Sequence, residues 1–453
     1  MVSVSSSFGV PRYSIGTLVY SRAGLLSLFG WLLWGDFIFN LMEQVMPTLL
    51  PLTLKDHGAS NQEILFIVST LFMVMNSALN PVISYKSDRF RSRWGRRRPF
   101  IVVTTPFVVL FLAAIPFAPE ILTWLQSIGS INHLFSLSPV APLFLIFGLL
   151  VAGFQVFNMF ISSVYYYLIP DVVPSQFIGQ FYGLFRVFGA LAGMAYNYLI
   201  FGLAEHYMSL IFVTTALIYG GFILLMCWRV REGEYPPPAS EPHEHWWNGI
   251  QNYLRECFGH SYYWWVFLAY SALGWGNAGN TFIVFFYRDD LGFSLDLIGK
   301  MNTWSSFFYL ILAYPFGLLI DRWDSHRALI LGTALTIVFS ILMYFFAVDR
   351  TSAIIWTLLR NIPLALAGMA LLKWTIEVYP KARYGQFGSA GALFSSLGGI
   401  AASFCYPYWM NLAKGYNSFL LWNALFAGLG LAATLVVYRR WKALGAPAQY
   451  CPP

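Results

Sequence analysis

Asp171-Val-Val-Pro174, followed by Gly179-Gln180-Phe181, returns 206 positions later as Glu377-Val-Tyr-Pro380 and Gly385-Gln386-Phe387. The same offset lays Phe188, Leu191, Gly193 and Ala195 over Phe394, Leu397, Gly399 and Ala401. Chance likeness between apolar segments matches leucines, not a polar Gly-Gln-Phe and a carboxylate three residues before a proline. Asp321-Arg322 repeats Asp88-Arg89 in the same spirit. The chain is therefore two related halves, and its architecture follows from what one half contains.

Runs apolar and long enough to cross a bilayer lie at 24–51, 63–85, 100–118, 141–169, 177–203 and 208–228, then at 263–287, 297–320, 328–347, 353–379, 385–410 and 418–438. With 453 residues, 58% hydrophobic and 10% charged, the chain cannot hide its apolar surface in a water-soluble core. The expected fold is an all-α membrane protein of twelve transmembrane helices, arranged as two pseudo-symmetric six-helix bundles over 1–228 and 263–453. Repeated six-helix halves mark alternating-access transporters with a site near the bilayer midplane. The linker, 229–262, opens with charges and Pro236-Pro237-Pro238, which end the sixth span and hold the chain extended. Trp246, Trp247, Ile250, Tyr253, Leu254, Cys257 and Phe258 then recur at helical spacing. They predict an amphipathic helix, either on the inner membrane surface or packed beneath the bundle.

Ser84 to Phe100, a hinge between two spans, holds Lys86, Arg89, Arg91, Arg93, Arg96, Arg97 and Arg98 beside Asp88. So basic a loop is retained on the cytoplasmic side. Counting outward from it, the opposite loops carry only Lys55, Arg288, Lys300, Arg350 and Lys414, which puts both termini in the cytoplasm and the protein in the cell (inner or plasma) membrane. The net charge of +7 lies between spans rather than on a polar domain, which excludes nucleic acid as the expected partner. Cys227, Cys257, Cys405 and Cys451 have no metal-ligand or disulfide spacing. Met1 to Pro11 lack the basic start and cleavage site of a removable signal. No nucleotide-binding or zinc-protease motif is present, and His243 and His245 sit in the linker, so neither an enzyme nor a metal centre or cofactor is expected.

Polar groups inside the spans carry the functional reading. The first span places Asp36, Asn40 and Glu43 at i, i+4 and i+7, on one face. Two carboxylates on a membrane helix are costly, so they line a cavity or pair with a basic residue such as Arg186 or Lys373. Asp36 is the deeper of the two and the better placed to take up and release a proton. The fourth span aligns Gln155, Asn158, Ser162 and Tyr166; the seventh offers Trp275, Asn277 and Asn280 among glycines; the eighth adds Asn302, Trp304 and Ser305. Amides and hydroxyls hydrogen-bond sugar hydroxyls and an indole stacks on a pyranose ring, although such residues also merely bridge helices. Lys373 and Glu377, one turn apart, are expected to pair, whereas Arg360 has no local partner and could meet an anionic substrate.

Taken together, these features make the chain resemble the major facilitator superfamily over nearly its whole length. Ser87-Asp88-Arg89 through Arg96-Arg97-Arg98-Pro99-Phe100 is most similar to sucrose transporters and to glycoside–pentoside–hexuronide:cation symporters, and Glu377-Val-Tyr-Pro380-Lys-Ala-Arg383 resembles the loop after the tenth helix of sugar porters. The resemblance implies a cytoplasmic gate built from Asp88, Arg89, Asp171, Arg322, Glu377 and Arg383. It also implies a sugar-site role for the first-span aspartate, here Asp36. Two sodium-binding aspartates of melibiose-type relatives fall on Asn76 and Asn80, and a fourth-span aspartate falls on Ser162, which argues against sodium and for protons as the coupling ion, with Asp36, Glu43 and Arg186 as the coupling group. The expectation is a monomeric, proton-coupled symporter of a sugar or glycoside in contact with membrane lipid. A sodium-coupled sugar symporter, a lysolipid or other amphiphile carrier, and a non-transporting receptor or scaffold are the competing readings.

Overall fold

The computed structural model describes residues 13–127, 141–234, 246–380, 383–413, 415–445, 450 and 453. For residues 80, 81, 84, 85, 88, 246–250 and 252 only the backbone is described. Among the described residues the regular structure is helical apart from one short hairpin, in which β1 (Tyr13–Ile15) pairs antiparallel with β2 (Leu18–Tyr20) in the register Tyr13↔Tyr20. Gly16 at φ +52° supplies the left-handed residue that its two-residue turn requires. No apolar periodicity announces these three-residue strands.

The helices are α1 (Arg22–Asp56), α2 (61–89), α3 (98–127), α4 (Pro142–Val172), α5 (175–203) and α6 (Ala204–Arg229). Then come the linker helix α7 (Trp246–Phe258), α8 (261–290), α9 (Leu295–Trp323), α10 (Ser325–Phe346), α11 (Arg350–Val378), α12 (Tyr384–Ala413) and α13 (Ser418–Ala443). All but α7 coincide with the twelve predicted spans, and the protein is a multi-pass membrane protein. α5 and α6 run together as 55 residues of continuous helix, bent where Tyr207 leaves helical geometry at φ −127° and ψ 32°. α8 is broken: regular helix to Gly276 gives way to a 3₁₀ stretch at Asn277–Phe282, and Phe286–Asp290 is π-helical. π-helical turns also occur at Phe66–Thr70 in α2 and Tyr196–Ile200 in α5. Hydropathy cannot foresee such changes of pitch, because composition is unchanged across them.

The chain divides into two compact units. The first comprises residues 1–49, 75–196 and 204–239; the second comprises 50–74, 197–203 and 240–453. The end of α1 and the start of α2 thus belong with the second six spans. Within the second unit, Ser69 and Thr281 hydroxyls lie 3.3 Å apart and Arg288 pairs with Asp56 at 3.4 Å.

Small residues let helices within a unit approach closely. In the second unit, a Cβ on Gly332 of α10 would stand 2.7 Å from the backbone nitrogen of Ala367 in α11. In the first, a Cβ on Gly153 of α4 would stand 2.5 Å from the Phe111 ring of α3. Gly148, by contrast, faces open space. We expect Gly332→Val to cost about 1–3 kcal/mol and lower Tm, because backbone cannot yield as a side chain can, whereas Gly148→Ala leaves Tm unchanged. Thermal unfolding of the purified variants checks this; equal midpoints would mean that α10 and α11 are not packed as described.

Candidate functional site

In the first unit the basic hinge is a fixed structure rather than a loose loop. Arg96 forms a bidentate pair with Asp171 of α4, Nε to Oδ2 at 3.0 Å and Nη2 to Oδ1 at 2.6 Å, and Arg97 reaches the same carboxylate at 3.3 Å. Arg97 also donates to Ser87 at 2.6 Å. Glu232 accepts the backbone N–H groups of Arg96, Arg97 and Arg98 at 2.6 to 3.1 Å, closing the start of α3 where a helix exposes unpaired donors. Gly95, at φ +100°, leaves room for that carboxylate: a Cβ there would lie 2.5 Å from Glu232 Cδ. The side chain of Asp88 lies outside the described residues, and Arg89 is exposed.

The matching end of the second unit holds its own charge network. Glu377 accepts a short hydrogen bond from Ser325, and His326 Nδ1 lies 3.3 Å from Asp324 and 3.8 Å from Glu377. Lys373 pairs with Asp321 at 2.7 Å and only brushes Glu377 at 3.9 Å. The expected pairing of Lys373 with Glu377 is thus present at the limit of contact, and Asp321 across on α9 is the closer partner. Arg383 pairs with Glu256 of α7 at 3.0 Å, and Arg322 is exposed with no ion pair among the described residues. Each of these pairs lies inside its own unit.

The polar stripe of α1 is buried in the first unit. Asp36 is fully buried, and Asn40 donates to its Oδ1 at 2.7 Å and to its backbone carbonyl at 2.9 Å. Asp36 Oδ2 has no hydrogen-bond partner. One turn earlier, the Tyr165 hydroxyl donates to the Leu32 carbonyl at 2.6 Å. Two turns after Asp36, Asn158 donates to Glu43 at 2.7 Å. Gly189 of α5 makes room for Asn40, as a Cβ there would lie 3.3 Å from its amide nitrogen. Arg186, on the same face of α5, is exposed and makes no ion pair at contact distance among the described residues, but its charge acts on Asp36 from nearby. The structure thus brings Asp36, Asn40, Glu43, Asn158 and Arg186 into one neighbourhood. Gln155 is buried beside them, Ser162 bonds back to the Met159 carbonyl, and Tyr166 is 42% exposed against Phe39 and Phe185.

The second unit contains a cavity of about 280 Å³ bounded by α8, α10, α11, α12 and α13. Asn277, Thr333, Thr336, Arg360, Ser395 and Asn423 supply its polar lining. Asn280 joins the amides into a chain, donating to Asn277 at 3.0 Å and accepting from Asn423 at 3.0 Å. An adjoining chamber of about 240 Å³ shares Tyr270, Gly274 and Ser395 and adds Trp275, whose indole donates to the Ser395 carbonyl at 2.9 Å. Asn302 and Trp304 line neither chamber. Asn302 donates instead to Asn197 at 3.2 Å, and Trp304 is 56% exposed beside Phe307. Thr333, Thr336 and Ser340, at i, i+3 and i+7 of α10, form a polar face that sequence reading passed over, although the spacing was there to be seen.

A family profile described as Major Facilitator Superfamily matches residues 32–403, and the chain belongs to that superfamily. No curated protein sequence matches it significantly. Among solved structures, it resembles a bacterial homologue of the human lysosomal transporter Spinster, inward-facing and occupied, at TM-score 0.69 and 12% identity over 96% of this chain and 100% of that one. It also resembles a bacterial homologue of the iron transporter ferroportin, inward-facing, at TM-score 0.66 and 14% identity over 91% and 99%. A D-xylose–proton symporter aligns at TM-score 0.64 and 15% identity over 91% and 97%. At these identities the likeness establishes the fold alone.

Asn158→Leu removes the donor seen on Glu43, and leaving that carboxylate unpaired should cost about 1–3 kcal/mol. Replacing both Glu43 and Asn158 by leucine should cost much less than the two single changes added together. A double-mutant cycle from unfolding midpoints measures the difference, and strict additivity would show the pair to be uncoupled.

Proposed function

We propose that the protein is a secondary active transporter that couples the movement of a sugar or glycoside to protons by alternating access. The observation that carries this reading is Asp36: a fully buried carboxyl with one oxygen held by Asn40, the other without a partner, and a cation near but not in contact. Such a group can bind a proton through its free oxygen without breaking the hydrogen bond that orients it. When the proton leaves, Arg186 compensates the charge from a short distance, so the strength of that compensation depends on what lies between them. A substrate settling between the two would alter the proton's affinity, and by reciprocity the proton alters the substrate's. Within the first unit, Asn158, Gln155 and Tyr166 offer amide and phenol groups to sugar hydroxyls.

The xylose–proton symporter among the similar folds carries its cargo with protons, which is consistent with this reading. Half-buried Asn76 stands where a sodium-coupled relative would hold an aspartate, and a neutral amide holds sodium poorly. Asn80 falls at a position whose side chain lies outside the described residues.

The test is flux into proteoliposomes, with sucrose, maltose and simple glucosides offered in turn under an imposed proton or sodium gradient. We expect uphill uptake driven by protons and indifferent to sodium. Asp36→Asn should abolish uphill uptake while leaving downhill exchange measurable. Sodium-driven uptake would sink the coupling assignment, and the absence of flux for every sugar under either gradient would shift the reading to an amphiphile carrier.

A further inference from the structure

The second unit's cavity contains a charge that the proton-coupling group does not use. Arg360 of α11 is only 4% exposed, yet it borders the cavity. Its Nε donates to Ser340 at 2.9 Å and its guanidinium lies 5.9 Å from the centre of the Phe419 ring. Among the described residues no carboxylate stands within ion-pair distance of it, and none lines the cavity. A buried cation in a membrane helix is normally paired, because removing it from water without a counter-charge is costly. Here the two terminal nitrogens are left without a hydrogen-bond partner, while the Nε contact to Ser340 fixes the plane of the fork.

We infer that Arg360 and the cavity beside it form the binding site for the carboxylate of a small organic acid, so that the cargo extends from neutral sugars to sugar acids bearing that group. One guanidinium among neutral donors matches a single negative charge. A doubly charged phosphate ester would exchange an unpaired positive charge for an unpaired negative one. A planar carboxylate also fits the fork in bidentate fashion. The side amide of Asn277 and the second N–H of Asn423 are further donors on the same wall, since the bonds to Asn280 use only one oxygen and one N–H of the pair. The two chambers, about 280 and 240 Å³, leave room for an organic body, with Tyr270 common to both and the Trp275 ring at the far side. That the ligand is carried rests on the transporter reading above; that it binds stands on the cavity alone.

Binding is measured on the purified full-length protein by thermal shift and tryptophan quenching. Benzoate and gluconate are the probes, each beside a neutral twin, benzamide and sorbitol, with inorganic phosphate and sulfate in parallel. We expect at least one carboxylate to bind about tenfold or more tightly than its neutral twin and more tightly than either inorganic ion. Arg360→Gln should erase that preference and Arg360→Lys should keep part of it, while Gly148→Ala, at a position that faces open space, preserves it. Should Arg360→Gln fail to fold, Ser340→Ala serves instead, and it should weaken the carboxylate selectively because the fork is no longer held. Equal binding of acid and neutral twin, tighter binding of phosphate or sulfate, or no binding of either carboxylate overturns the inference. So does a variant in which stability falls but the preference survives, since Arg360 would then be only a structural pin. Flux of the bound acid into proteoliposomes is the separate arm: retained binding without flux defeats the transporter reading and leaves the site intact.

Discussion

In a bilayer a polar group that finds no partner has no water to fall back on, and this constraint arranges most of what the structure shows. Glu232 sits where three consecutive backbone amides at the start of α3 would otherwise be bare. Asp171 is held by two arginines, and Ser340 turns the edge of Arg360 inward. Against that background the groups left unsatisfied stand out. Asp36 Oδ2 in the first unit and the guanidinium tip of Arg360 in the second are two such places among the described residues. They are of opposite kind, one a carboxyl and the other a guanidinium.

The two halves use their repeated sequence differently. Asp171 and Glu377 occupy equivalent positions, yet Asp171 is enclosed by arginines from the hinge, whereas Glu377 is shared among a serine, a histidine and a distant lysine. The same placement of a carboxylate before a proline therefore yields a tight clamp in one unit and a loosely shared network in the other. Duplication supplied the scaffold, and the neighbours decide the chemistry.

The spans were legible because twenty apolar residues in a row leave few alternatives, and the i, i+4, i+7 stripe of Asp36, Asn40 and Glu43 was legible because helical phase within one regular helix is rigid. Two kinds of feature escaped. The grouping of 50–74 with the second unit depends on packing across long sequence distances, which no local pattern records. Membership of the α8–α11 cavity depends on how separate helices pack, which spacing along one helix does not record, and the hydroxyls of α10 went unnoticed since threonine and serine commonly bond their own helix, as Thr336 does to Gly332. Arg360 was visible as an unpartnered arginine; that it lines a cavity was not.

The six residues of 3₁₀ helix in α8 make this span a gear of unequal pitch. A 3₁₀ helix rises about 2.0 Å and turns about 120° per residue, against about 1.5 Å and 100° in an α-helix. Relaxing those six residues into regular helix would shorten the span by about 3 Å and rotate everything beyond Phe282 by about 120°. Asn277 and Asn280 lie inside that stretch, and the amide chain to Asn423 ties it to α13, so any change of pitch there would have to break these bonds.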